Sequence, residues 1–326
     1  MTNEFLTIII PCYNAEQYIM RCTTSLEGLS KNVGIIFVND GSTDSTKIFI
    51  EEWIQNHDNA RLVNKDNGGY SSAINEGLNH CNTEYVMFLG VDDEIKSNRL
   101  NELCELAQKN HPDILAFSTV KTYDDTPTPK IERDSLTQFK SPNYYEMDAC
   151  AIDKKNHEDS RILYTRDTSR MFKMAVIGEL RYFGNTGVSA DGCFSSLVAF
   201  RAQSFEFVNC DCYIWHLHHD SVSSRAKSAE KVIEEANVWQ QYFSTIQREH
   251  ENKRLPSVVI SHIYVYKSIA EKLKEMGYPE IAEEHERAAH SFLGWIRDSK
   301  YVSLSSRLKI LFPSLYRLLV KIISSR

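Results

Sequence analysis

"VMFLGVDDEI", residues 86–95, decides how this chain is read. Val86 to Gly90 form a short unbroken apolar run, which suits a strand buried on both faces of a parallel sheet. Asp92, Asp93 and Glu94 follow at once. In open α/β sheets ligands bind beyond the carboxyl ends of the strands. A buried strand that ends in carboxylates therefore points to a site for a cation or a polar ligand.

The same rhythm runs through the first third of the chain. "LTIIIPC" (6–12), "VGIIFVND" (33–40), "ARLVNK" (60–65), "EYVMFLG" (84–90) and "DILAFST" (113–119) read as five strands. Between them "AEQYIMRCTTSLEGL" (15–29), "STDSTKIFIEEWIQNH" (42–57), "GYSSAINEGLNHC" (69–81) and "NRLNELCELAQKN" (98–110) have helical spacing, the second opened by capping Ser, Thr and Asp. Strands alternating with helices predict an α/β fold with a mainly parallel, Rossmann-like sheet covered on both faces. Polar residues collect at the strand ends: Tyr13 and Asn14, Asn39 and Asp40, Asp66 and Asn67, Asp92 and Asp93. The first turn, "PCYNAE", lacks GxGxxG, and no GxxxxGK[ST] occurs, which argues against a dinucleotide-dependent dehydrogenase and a P-loop NTPase.

Composition sets bounds. The 326 residues are 42% hydrophobic and 25% charged, with a formal net charge of −7, so a full core is expected and nucleic-acid binding is not. Eight scattered cysteines without a CxxC pair read as reduced thiols in a cytoplasmic protein. The N-terminal stretch has no basic run and too short an apolar run for a signal peptide, and no run has the length of a membrane span.

"TIIIPCYNAEQYI", "IIFVNDGSTDST", "NKDNGGYSSAINEGL", "YVMFLGVDD" and "SADGCF" follow one another in an order and spacing that resemble family 2 glycosyltransferases over residues 5–225. The resemblance implies the A-type glycosyltransferase fold, a nucleotide-sugar donor (a UDP-sugar is expected) and an inverting transfer to an acceptor hydroxyl. It assigns Pro11, Tyr13, Asn14, Asp40, Asn67, Gly68, Ser72, Asn75, Val91, Asp92, Ser221, Ser223 and Arg225 to the donor. Asp92 and His218 are the implied ligands of a divalent cation, Mn²⁺ or Mg²⁺, and Asp191 is the implied catalytic base. Chemistry agrees with the assignment. A hard cation offsets the charge of a leaving diphosphate and needs only one or two protein carboxylates besides the phosphates. Two departures stand out: Gly90 replaces the first acid of an Asp-x-Asp pattern, and Ala190 replaces the Glu before Asp191.

Plainer readings accompany each residue. Asp40, expected to accept from the imide of uracil, also fits an Asx-turn or a helix cap. Asn67 to Gly69 also fit an ordinary turn. Asp92 and Asp93, like Asp191, also fit helix starts. In an extended strand Cys210, Cys212, His216 and His218 share a face, which leaves zinc as a rival reading beside a purely structural strand.

Residues 120–165 are irregular and would border the acceptor. Beyond residue 225 three helical stretches are expected (228–251, 257–276 and 279–298), with Trp239, Tyr242, Phe243 and Ile246 on a core face. The division expected is 1–225 catalytic, 226–302 helical and 303–326 a tail helix. That tail joins leucines and isoleucines to Arg307, Lys309, Arg317, Lys321 and Arg326, with no acid. It reads as an interfacial helix on the inner face of the cell membrane, or as a helix packed on the body. The function expected is transfer of a hexosyl or N-acetylhexosaminyl group in cell-surface polysaccharide or glycoconjugate synthesis, with a glycan or lipid-linked acceptor. The alternatives are a nucleotidyltransferase and a non-catalytic nucleotide-sugar-binding or scaffold module.

Overall fold

The computed structural model describes residues 4–123, 132–133, 139–141, 166–185, 187, 189–218, 228–250 and 257–298. The chain divides into two compact units, Met1–Ala226 and Lys227–Arg326.

The first unit opens with β1 (Leu6–Cys12), α1 (Ile19–Ser25), β2 (Val33–Asp40), α2 (Thr46–Ile54), β3 (Ala60–Lys65), α3 (Tyr70–Asn79) and β4 (Tyr85–Phe88). The runs that read as doubly buried are so: every residue of β1, β2 and β4 is buried. β1 pairs in parallel with both β2 and β4, placing Ile8 between Ile35 and Met87. β3, which carries more polar residues, is the half-buried edge beside β2.

Then come β5 (Glu94–Ile95), α4 (Ser97–Asn110), β6 (Ile114–Tyr123), β7 (Glu132–Arg133), β8 (Phe139–Ser141), β9 (Arg170–Lys173), α5 (Met174–Ile177), α6 (Ala190–Arg201) and β10 (Phe205–Leu217). They complete a ten-stranded sheet in the order β3-β2-β1-β4-β9-β6-β10-β5, with β7 on β6 and β8 on β10. The sheet is more mixed than the sequence rhythm predicts. β9 slots antiparallel between β4 and β6, so the fifth expected strand does not adjoin the fourth. Four residues are too few to show a period. β9 is held instead by Phe172, which packs with Phe88 and Phe194 at ring-centroid distances of 6.0 and 5.9 Å. β10 runs parallel to β6, with a register shift between Val208 and Tyr213.

The second unit contains α7 (Ala229–His250), α8 (Ser257–Glu275) and α9 (Pro279–Asp298), packed on one another. Trp239, Tyr242, Phe243 and Ile246 are buried, as the core-face reading expects. Two buried Tyr–His hydrogen bonds cross the helices, Tyr242 Oη to His262 Nδ1 and Tyr266 Oη to His285 Nδ1, each 2.8 Å. Burial pushes the His262 imidazole down to about 4 and lowers His285 as well. No helix among the described residues is long and apolar enough to cross a membrane. The basic tail, 303–326, lies outside the described residues.

Candidate active site

The polar ends of β1, β2 and β3 meet through their loops. Tyr13 is 53% exposed. Asn14, at a left-handed φ of 47°, accepts from Thr43 N at 2.8 Å and donates its own N–H to Ser42 Oγ at 3.1 Å. Pro11 lies within β1, buried and in register with Val38.

Asp40 ends β2. Its carboxylate is 3% exposed and bonded internally: Oδ1 accepts from Lys65 Nζ at 2.6 Å and Gly68 N at 3.0 Å, and Oδ2 accepts from Gly69 N at 2.8 Å. Asn67 Nδ2 donates to the Asp40 carbonyl at 2.9 Å. Asp40 therefore stitches the end of β2 to the start of α3. Gly69 precedes α3 at φ 85°, a backbone that an L side chain rarely adopts. Ser72 stands beside Gly68, whose added Cβ would meet Ser72 Oγ at 2.6 Å. Asn75 turns away to another task. Its amide clamps the main chain of Tyr182, donating to the carbonyl at 3.0 Å and accepting from the N–H at 2.8 Å.

The acid turn after β4 is built by β10. Asp93 is buried; its Oδ2 accepts from Tyr213 Oη at 2.5 Å and its Oδ1 from His216 N at 2.9 Å. Gly90 N donates to the same phenol at 3.2 Å. Burial, then the charge of Asp92, push the Asp93 carboxyl well above its ordinary range, while those donors oppose the rise. Glu94 Oε1 meets His216 Nε2 at 2.6 Å, and His216 Nδ1 meets Thr122 Oγ1 at 3.0 Å. Gly90 now has a reason. A Cβ there would lie 2.8 Å from Asp92 Oδ1 and 2.9 Å from Asp93 Oδ2, so a third acid would displace the two that are present. Val91 is half-buried against the core.

Asp92 is the half-exposed member of the turn. Its Oδ2 lies 3.0 Å from His218 Nε2, and His218 Nδ1 lies 3.3 Å from Tyr18 Oη. The expected cation ligands thus converge from strands whose residues are far apart in sequence. Two adjacent ligands of an octahedral ion, each at about 2.1 Å, stand about 3.0 Å apart, so the pair fits Mg²⁺ or Mn²⁺. Tyr18 orients the ring, as partners of ligating histidines do. Among the described residues no group of three or more His, Cys, Asp or Glu could hold a metal. The zinc reading is overturned there: Cys212 is buried in the core cluster with Cys104, and Cys210 packs against that cluster.

Asp191 sits in the first turn of α6, half-buried. Burial, then the negative charge of Asp167, push its carboxyl up to about 7, against the main-chain N–H groups of the helix start and Arg166. Burial, then the negative charges of Asp167, Asp191 and Asp92, push the Tyr70 phenol well above its ordinary range. Asp167, Tyr182 and Tyr213 had no motif to announce them; Tyr18 and Tyr70 lie inside two of the quoted stretches but carried no expected role there. Ser221, Ser223 and Arg225, with most of 120–165, lie outside the described residues.

A mixed α/β sheet with its polar groups gathered at the strand ends presents them where such sheets bind ligands. The family described as Glycosyl transferase family 2 matches residues 7–172, and the chain belongs to that family. Glycosyltransferase GlyA of Streptococcus pneumoniae is 25% identical over 230 residues, covering 68% of this chain and 32% of that protein. The teichoic acid poly(glycerol phosphate) polymerase of Staphylococcus epidermidis is 43% identical over 95 residues, 28% of this chain and 13% of that one. The chain thus spans a third or less of these two relatives. The crystal structure of S. aureus TarS 1-349 in complex with UDP-GlcNAc superposes with a TM-score of 0.68 at 17% identity, covering 98% of this chain and 92% of that one. The likeness establishes the A-type glycosyltransferase fold.

Proposed function

We propose that the chain is an inverting glycosyltransferase that moves a sugar from a UDP-sugar to an acceptor hydroxyl in the synthesis of a cell-surface glycan or glycoconjugate. The observation that carries this reading is the meeting of Asp92 and His218, 3.0 Å apart, beyond the end of β4; Asp191, in the first turn of α6 with its carboxyl pushed up to about 7, supplies the base. A base matched to neutral pH is what deprotonation of a hydroxyl requires. Asp191 takes the acceptor proton, and the acceptor oxygen attacks C1 of the sugar from the face opposite the diphosphate. The nucleoside diphosphate leaves toward Asp92 and His218. A divalent cation held there would neutralise the developing charge. Tyr13, Asn14, Asn67, Gly68 and Ser72 line the nucleoside side of this reading, and Ser221, Ser223 and Arg225 remain assigned to the diphosphate by the family resemblance.

The family, the UDP-GlcNAc bound in the TarS structure and the name of the teichoic acid relative support a UDP-sugar and a cell-envelope acceptor. The same proposal keeps residues 1–225 as catalytic, 226–302 as a helical region and 303–326 as a tail that docks on the cytoplasmic face of the membrane. The deciding experiment incubates the full chain with a panel of nucleotide sugars and candidate acceptors, with Mn²⁺ or with chelator. Release of UDP that depends on Mn²⁺ is the expected result. Release of pyrophosphate would make the protein a nucleotidyltransferase, and binding of donors without any release would make it a binding module.

A further inference from the structure

Asp167 is 3% exposed and lies outside every motif of the sequence. Its Oδ2 accepts from two phenols, Tyr182 Oη at 2.5 Å and Tyr70 Oη at 3.2 Å. Each phenol belongs to a different wall of the site. Tyr70 is the first residue of α3, directly after the Gly68–Gly69 turn stitched to Asp40. Tyr182 stacks on Phe194 of α6, with centroids 4.3 Å apart and planes at 20°. Phe194 stands three residues after Asp191, on the same side of the helix. A second tie comes from Ser195 of α6, whose Oγ donates to the Arg166 carbonyl at 2.9 Å. The segment before β9 is therefore laid against the helix that carries the expected base.

We propose that Asp167 is a positioning residue for that base: it fastens the α3 and α6 walls through Tyr70 and Tyr182 and so fixes the surroundings in which the Asp191 carboxyl works. The inference rests on the reading of Asp191 as base. Burial raises the Asp167 carboxyl, while Tyr182, Tyr70 and Arg170 favour its charged form, so a carboxylate without solvent keeps three stabilising partners. Its charge in turn raises Asp191, with Arg166 acting in the opposite direction. Asp92, the remaining acid near Tyr70, has its own partner in His218. A base with Asp167 behind it holds a proton more firmly than a helix-start aspartate would, and takes the acceptor proton more readily.

The test is Asp167→Asn, which keeps an acceptor for the phenols and removes the charge. With carboxyl-¹³C aspartate in the substrate-free full chain, the Asp191 resonance, identified by its loss in Asp191→Asn, should titrate on the order of one pH unit lower. The acidic limb of kcat/KM should move down with it, while UDP affinity stays the same. Tyr182→Phe, which withdraws one donor and leaves the charge site, should move the midpoint the same way by less; it serves as the reading if Asp167→Asn does not fold. An Asp191 midpoint unchanged in both variants overturns the proposal, as does uniform loss of activity at every pH without a shifted limb. A shifted resonance with an unshifted kinetic limb upholds the Asp167–Asp191 coupling and removes Asp191 from the role of base.

Discussion

Asp93 and Asp191 are both aspartates drawn out of water at the polar edge of one sheet, and burial raises both. Their surroundings differ in the donors they meet. Asp93 is pinned by the Tyr213 phenol and the His216 N–H, so its oxygens hold the turn in place. Asp191 meets main-chain N–H groups at the open first turn of a helix and remains half-buried. A carboxylate saturated with fixed donors holds a turn in place; the proposed base is one left with access for an incoming hydroxyl. Asp40 belongs with Asp93 under this rule, and Asp92, with one imidazole partner and part of its surface open, stands nearer Asp191.

The contrast can be broken most sharply at Asp191. Asp191→Asn should lower kcat by about a thousandfold, within the range for loss of a general base, while calorimetry shows the same UDP-sugar affinity. In the parent, activity should fall as pH drops through about 7, because the base is lost on protonation. Asp93→Ala should act on folding instead. It leaves a phenol and an N–H without their acceptor, a loss of roughly 2–4 kcal/mol in urea unfolding. Equal stability with lost turnover would erase the distinction between the two acids.

The histidines of the second unit extend the rule to a different group. His262, lowered to about 4 in the fold and near 6.5 unfolded, favours the folded state above pH 6.5, and that contribution is lost as pH falls toward 4. Roughly 2 kcal/mol should be gone by pH 5, and His262→Gln should flatten the slope. Gly90→Ala is the smallest effect, about 1 kcal/mol, because its Cβ crowds one movable and one pinned carboxylate. If it costs nothing, Asp93 is less fixed than its two donors indicate.

The parallel half of the sheet was legible because β1, β2 and β4 are continuous apolar runs, and the acid turn because its carboxylates follow such a run directly. Asp92 and His218 were visible as a pair only through a family pattern, since no spacing relates residues 126 positions apart. Asp40 was placed at the right strand end, but a sequence does not show that Lys65 and two glycine N–H groups converge on it. Asp167 stayed hidden for the same reason. Its partners lie 97 and 15 residues away, and an isolated tyrosine reads as core. β9 is too short to carry a period, and its antiparallel direction comes from filling the gap between β4 and β6.

The long reach from the acid turn to β10 has a consequence in time. Asp93 must wait for partners 120 and 123 positions later. At a synthesis rate of 5–20 residues per second, that is on the order of ten seconds on the ribosome. Through that interval β1, β2 and β4 can already pair, while the free edge of β4 waits for β9 and the turn above it has nothing to close on. The Asp92–His218 pair is thus among the last features of the first unit to form, and a chain released early carries a sheet without its acid turn closed.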